Sequence, residues 1–392
     1  MSDYKKREIQ PKMKRPKFII FTDIDGTLDS NDEQFNNIST MVSVKGGMVI
    51  PITGRTVGDV EEHFKNKGLR IPQIIVGDNG AVIYATGTKQ FLSKKILEHD
   101  NVLKIIEDFI NNNGDSDFIR YTDGRRIYAS NSDEVKEYYE DSKTVKICRD
   151  IFKQIEKSED ITKITLAGTE KQMLQISEFV EKLGFWTDID KTKFPNREYD
   201  NCRVDIAQKN INKGEAVKQI VTCLKPKYGY VCIGNGYNDI TMLKRAIDDG
   251  MIAAIMGNSE PELINEIKEY AVKSKKGSVT VIQKNKNLAN KFILEIAKLF
   301  ERKIKEEEKN RSKNERANRR LLNVQRVNVK GVSRINNDKG INREITKTYR
   351  WKNEKNEKMK KWKKWKKVLT NRKKTFIIYK CQGENFAGVV QW

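Results

Sequence analysis

Residues 18–29 read Phe-Ile-Ile-Phe-Thr-Asp-Ile-Asp-Gly-Thr-Leu-Asp. The first five form a short apolar run of β character, which reads as a buried strand. That strand ends on two aspartates, Asp23 and Asp25, and Gly26 lets the chain turn away beside them. Two carboxylates delivered to one point repel each other. Something must hold them: a divalent cation, a shared proton, or both.

The flanking sequence alternates strands and helices. Met48–Ile52 is a strand that stops at Thr53-Gly54-Arg55, Thr56–Lys67 has helical spacing with Gly68 as its stop, and Ile74–Val76 is a strand ending at Gly77-Asp78-Asn79-Gly80. Strand, helix, strand in this order implies parallel pairing and a doubly wound α/β sheet. Residues 85–193 change character. Ile96–Ile110 and Lys171–Leu183 are helical, and Phe118–Ser130 reads as a hairpin around Asp123-Gly124. Ile161–Leu166 and Phe185–Ile189 are strands, so this stretch is read as an inserted α+β domain.

The α/β alternation returns near residue 200. Val204–Ala207 is expected as a core strand, Lys213–Leu224 as a helix, and Tyr230–Ile233 as a strand running into Gly234-Asn235-Gly236. Asn238–Ile247 (helix) and Ile252–Ile255 (strand) follow. Ser259-Glu260-Pro261-Glu262 reads as a capping box, and Leu288–Lys305 as a terminal helix. The expected division is a basic arm over 1–17, core over 18–84, a cap domain over 85–193, core again over 194–305, and a basic low-complexity tail over 306–392.

Charge is uneven. Residues 301–392 hold 29 Lys and Arg against 10 Asp and Glu, a net of +19 out of +22 for the chain. The basic character therefore belongs to the tail. There, Met359, Trp362, Trp365 and Leu369 fall at helical spacing among lysines, which suits either a solvated polycation or weak binding to nucleic acid or anionic lipid. The five cysteines are scattered, with no CxxC pair, which argues against a zinc site or disulfide framework. Only His63 and His99 are present, so multi-histidine metal chemistry is excluded. The charged N-terminus is no secretory signal, and no apolar run reaches the ~20 residues that span a bilayer. A soluble cytoplasmic protein is expected.

Ligands of open α/β sheets bind beyond the carboxyl ends of the strands. The loops at those ends bring Asp23 and Asp25, then Thr53, Gly54 and Arg55, then Lys213, then Asn235, Asn238 and Asp239. Phosphoryl transfer needs such parts: a positioned nucleophile, oxygens for a hard cation, and a cation on developing charge.

Four segments carry a resemblance: Asp23-Ile-Asp25-Gly-Thr-Leu, Ile52-Thr53-Gly54-Arg55, Asn212-Lys213-Gly214, and Gly234-Asn235-Gly236-Tyr-Asn238-Asp239. In this order, with the long insert between the second and third, the chain resembles haloacid dehalogenase superfamily phosphatases of type IIB, which carry a C2 cap. The resemblance implies an Mg²⁺-dependent phosphatase acting on a small phosphorylated metabolite, a sugar phosphate foremost. It implies Asp23 as the nucleophile that forms an aspartyl phosphate and Asp25 as general acid and base. Thr53 would bind the phosphoryl group and Lys213 would hold Asp23 in register. Mg²⁺ would be ligated by Asp23, Asp25, Asn235 and Asp239, and substrate would be met by Gly54, Arg55, Asn79, Gly80 and Asn238. A phosphosugar mutase of the same fold, or a catalytically weak relative with a polyanion-binding tail, are the alternatives.

One departure stands out. Asn235 occupies a position where related proteins carry Asp. An amide oxygen ligates Mg²⁺ without formal charge, so weaker metal binding is expected, with Asp239 compensating. In the insert, Arg125, Arg126 and Lys163 read as solvated charges before substrate contacts. Cys202, Cys223 and Cys232 read as small core hydrophobes.

Overall fold

The computed structural model describes residues 15–28, 32–112, 118–131, 136, 142–190, 201–282 and 288–331. The described residues up to Lys298 belong to one compact unit and those from Leu299 to a second. The tail stripe around Trp362 and Trp365 lies outside the described residues.

The core is a parallel sheet. Its strands are β1 (Phe18–Thr22), β2 (Gly47–Pro51), β12 (Tyr230–Gly234), β13 (Ile252–Met256) and β14 (Ser278–Ile282), in the order β14-β13-β12-β1-β2. Every pairing among them is parallel. The sheet extends by one parallel bridge, Ile52 to Val76, to β3 (Ile74–Gly77). β1 is central, and all five of its residues are buried, as an apolar run without alternation requires.

Helices α1 (Asp32–Val44) and α2 (Val57–Asn66) supply the first crossovers. Thr56 caps α2, its hydroxyl accepting from Asp59 N at 3.2 Å. Helices α6 (Lys213–Leu224), α7 (Ile240–Asp248) and α8 (Pro261–Ser274) serve the other half. Ile19, Phe21, Ile50, Val217, Ile220, Leu243, Ile247 and Ile255 lie in one buried cluster between these layers.

The insert forms a second, mostly antiparallel sheet of order β10-β11-β9-β6-β7-β8. Its strands are β6 (Ile119–Thr122), β7 (Ile127–Ala129), β8 (Val145–Ile147), β9 (Lys163–Thr169), β10 (Trp186–Asp190) and β11 (Asn201–Ala207). Helices α3 (His99–Asn111), α4 (Ile151–Glu156) and α5 (Glu170–Lys182) contribute to the core on one face, built on Ile119, Tyr121, Ile164, Leu166, Val204 and Ile206. Side chains alternate along a strand. The opposite face therefore carries Arg120, Thr122, Lys163, Thr165, Arg203 and Asp205. A small antiparallel sheet joins β3 to β4 (Val82–Ala85) and β5 (Gln90–Lys94).

The α/β reading with a doubly wound parallel core and an inserted α+β layer is what the structure shows. Several details differ. Val204–Ala207 is not a core strand: β11 pairs antiparallel with β9 and β10 in the inserted sheet. Burial marks a strand as central without telling which sheet it joins. The expected boundary after residue 84 falls inside β4. Glu260, not Ser259, is the N-cap of α8, and no side chain completes a capping box there. The last helix, α9 (Leu288–Gly331), runs well past residue 305. Cys223 is exposed, whereas Cys148, Cys202 and Cys232 are buried. Among the described residues, no helix is long and apolar enough to cross a membrane.

Candidate active site

β1 ends between β2 and β12, the point at which the strand order runs outward in both directions. Asp23 N donates to Ile233 O at 2.9 Å and Ile52 N donates to Thr22 O at 2.8 Å. These bonds set the loops after β1, β2 and β12 side by side. Lys213 opens α6. Asn212 caps that helix by accepting from Glu215 N at 2.9 Å, which fixes where the lysine emerges.

Lys213 has no exposed surface. Its Nζ donates to Asp23 Oδ1 at 2.7 Å and to Asp239 Oδ1 at 2.6 Å. The other Asp239 oxygen accepts from Asn235 N at 2.8 Å and Gly236 N at 2.9 Å. A Cβ on Gly234 would lie 2.5 Å from the Asp239 carboxylate, so only glycine fits there. Both Asp239 oxygens are thus committed to the lysine and to the loop after β12.

Electrostatics follow from this packing. Burial, with the charges of Asp239 and Asp25, pushes the Asp23 pKa up to about 7 even with Lys213 beside it. Burial alone would lower the Lys213 pKa, but Asp23 and Asp239 outweigh it and hold the ammonium above its ordinary value. Two buried carboxylates share one ammonium, so the cluster is short of positive charge.

Asp25 stands half exposed at the rim. Arg55 grips it in bidentate fashion, Nε to Oδ2 at 2.9 Å and Nη2 to Oδ1 at 2.5 Å, and also reaches Asp59 Oδ2 at 3.4 Å. Burial would raise Asp25, but the hydrogen bonds and charge of Arg55 hold it below the usual carboxylate range. Thr53 is buried, and its hydroxyl accepts from Arg55 N at 3.2 Å.

The turn after β3 closes another side. Asp78, Asn79 and Gly80 all have positive φ, at 48°, 53° and 106°. Asn79 N donates to Thr53 O at 3.0 Å, and Asn238 Nδ2 donates to Asn79 Oδ1 at 3.3 Å. A Cβ on Gly54 would lie 3.1 Å from Asn79 Oδ1, and one on Gly80 would lie 2.6 Å from Asn212 O. Asp23, Asp25, Thr53, Gly54, Arg55, Asn79, Gly80, Lys213, Asn235, Asn238 and Asp239 therefore sit in one connected set of contacts around the end of β1.

Asn235 faces the first loop. Its Oδ1 accepts from the Thr27 hydroxyl at 2.9 Å. A Cβ on Gly26, where φ is +71°, would lie 2.6 Å from Asn235 Nδ2. Among the described residues no group of three or more His, Cys, Asp or Glu side chains could hold a metal ion. The oxygens that the resemblance implies for a hard cation include the Asp23 carboxylate, of which one oxygen is bound to Lys213, and Asn235 Oδ1, which accepts from Thr27. Hard oxygens in a cluster lacking positive charge fit Mg²⁺.

The reading of the sequence missed Lys163. It is buried, not solvated, and its Nζ donates to Gly54 O and to Asp205 Oδ2, each at 2.9 Å. A lysine opening a β-run carries no signal of which face it takes. Arg125 pairs with Glu61 at 2.6 Å and donates to the Tyr84 hydroxyl, so it ties the insert to α2 and β4. Arg126 is exposed.

No curated protein matches the sequence. Among solved structures, a haloacid dehalogenase-like hydrolase from Bacteroides thetaiotaomicron is 19% identical with a TM-score of 0.52, covering 71% of this chain and 98% of its own. A Thermotoga maritima protein is 19% identical with a TM-score of 0.53, covering 72% and 96%. A second Bacteroides thetaiotaomicron protein, described among phosphatases of the same superfamily, is 15% identical with a TM-score of 0.52, covering 74% and 98%. These likenesses concern the fold. The profile of the haloacid dehalogenase-like hydrolases matches residues 20–282, both halves of the core and the whole insert, and the chain belongs to that family.

Proposed function

We propose that the protein is an Mg²⁺-dependent phosphomonoesterase working through an aspartyl-phosphate intermediate on a small phosphorylated metabolite, a sugar phosphate foremost. The observation that carries this reading is the solvent-free bridge of Lys213 between Asp23 and Asp239. It leaves Asp23 with one oxygen engaged and one to react.

In this reading the second Asp23 oxygen attacks phosphorus, and the bond to the leaving alkoxide breaks. Asp25 gives that alkoxide a proton, then takes one from the water that hydrolyses the acyl phosphate. Asp25 is paired with Arg55 in the structure, so the arriving phosphoryl group must draw the guanidinium away. Arg55 and the Thr53 hydroxyl then bind phosphoryl oxygens. Lys213 offsets charge on Asp23 throughout. Asp23, the Asp25 carbonyl and Asn235 would hold Mg²⁺, which when bound would supply positive charge to offset that of the phosphoryl oxygens. Asp239 braces this set from behind, since its own oxygens serve Lys213 and two main-chain amides. The contact of the inserted sheet with the Gly54 loop supports a compact substrate.

The test is phosphate release from a panel of sugar phosphates, nucleotides and phosphoglycerates, with and without Mg²⁺. Turnover that requires Mg²⁺ and disappears in Asp23→Asn is expected. Wild-type turnover in that variant would overturn the nucleophile assignment. Isomer interconversion without net phosphate release would favour a mutase.

A further inference from the structure

Three consecutive carbonyls in the loop after β2 are held in two different ways. Thr53 O accepts from Asn79 N at 3.0 Å, and Arg55 O accepts from Asp78 N at 2.9 Å. Both donors belong to the core turn after β3. Gly54 O, between them, accepts from Lys163 Nζ at 2.9 Å, and Lys163 is the first residue of β9 in the inserted sheet.

A peptide group is planar, so fixing its carbonyl fixes its N–H. The Gly54 carbonyl shares its plane with Arg55 N–H, which donates to the Thr53 hydroxyl. The direction of that hydroxyl is therefore linked, through one peptide plane, to an ammonium from the insert.

Lys163 is itself held firmly. Asp205 on neighbouring β11 receives it at 2.9 Å, and Thr165 Oγ1 donates to the other Asp205 oxygen at 2.6 Å. The two charged side chains are 8% and 10% exposed. Buried ion pairs stabilise little compared with apolar packing of the same volume. A fold that needed only cohesion at this seam had a simpler choice. The same insert also clamps the turn that holds the flanking carbonyls. Thr122 and Thr162 donate to Asp78 Oδ2 at 2.8 and 2.7 Å.

We propose that Lys163 is a positioning residue through which the seating of the inserted sheet sets the phosphate-binding loop. It acts through the Gly54–Arg55 peptide and touches no reacting atom. The proposal rests on the phosphatase reading above. It adds that the loop is in catalytic register only while the sheet is seated upon it.

The experiment uses the full chain with p-nitrophenyl phosphate and Mg²⁺, comparing wild type, Asp23→Asn, Lys163→Met and Asp205→Asn. Lys163→Met is expected to lower kcat by about tenfold to a hundredfold, with KM within about twofold, as misplaced catalytic parts do. Hydrogen exchange followed by mass spectrometry should show faster exchange in the peptide covering residues 53–58 and none in β12. Asp205→Asn keeps the lysine and most of the volume, and should shift both readouts the same way by less. Wild-type kcat with unaltered exchange at 53–58 in either variant would overturn the proposal while leaving the phosphatase intact. A wild-type protein without turnover would remove the parent reading and this one with it.

Discussion

Lys213 Nζ lies 2.7 Å from Asp23 Oδ1, a residue 190 positions away in sequence, and the ammonium has no contact with solvent. This pair joins the two halves of the core that the insert separates. Lys213→Met would leave two buried carboxylates without their cation. Breaking a buried pair from one side costs about 3–5 kcal/mol. Urea unfolding at neutral pH should show a loss of that order, and Asp23→Asn should lose less because Lys213 keeps Asp239. Equal stability of Lys213→Met and wild type would contradict the bridge.

Asp205 gives a pH signature. Burial would raise its pKa, but Lys163, Arg203, Arg120 and the Thr165 hydroxyl overrule it and hold the carboxyl far below its ordinary value of 3.8. Below pH ~4 the unfolded chain takes up a proton that the native chain refuses, so stability rises with pH there. The contribution is complete above the ordinary value and is lost as pH falls towards the native one. Asp205→Asn should therefore cost about 3 kcal/mol at neutral pH, and the gap to wild type should narrow in denaturation series taken from pH 5 to 2. A gap that stays constant across that range would argue against the ion pair.

Asn235 bears on the metal. Asp239 has both oxygens engaged, so it is poorly placed to make up for the missing charge at position 235. Asn235→Asp adds an anionic oxygen where the Thr27 hydroxyl already donates. Titration calorimetry should find Mg²⁺ bound roughly tenfold more tightly in the variant, since hard cations favour charged oxygens. Unchanged affinity would move the ion away from Asn235.

The tail is expected to act separately from the chemistry. Residues 301–392 carry a net +19. Retention on heparin should fall steeply with salt and weaken greatly when residues 306–392 are removed. Retention that survives the deletion would place the polyanion site within residues 1–305.

Much of this was legible in the sequence because the chemistry sits at strand ends. The run from Phe18 to Thr22 is apolar without alternation, so it had to be central, and Asp23 had to emerge at its end. Lys213 could be placed because the residues from 213 to 224 read as a helix that follows a strand, Val204–Ala207, by a short loop. What escaped were choices that depend on partners. β11 alternates Cys202, Val204 and Ile206 with Arg203 and Asp205, a pattern that suits an antiparallel strand, but nothing within it says that β9 and β10 are its neighbours. Lys163 reads as an ordinary surface lysine until the sheet face it occupies is known. The hydrogen bonds of Asp239 to Lys213 and to the Asn235 and Gly236 amides were likewise not legible in its motif.

β11 ends at Ala207 and Lys213 follows after five residues, so the inserted sheet hands the chain almost directly to the lysine. A foreign insert without a lysine in the register of Lys163 would leave Gly54 O without its ammonium and would change the strand from which the segment leading to Lys213 departs. Domain exchange at this joint could not be modular: a chimera would need its junctions redrawn on both sides of the seam before either half recovered its native geometry.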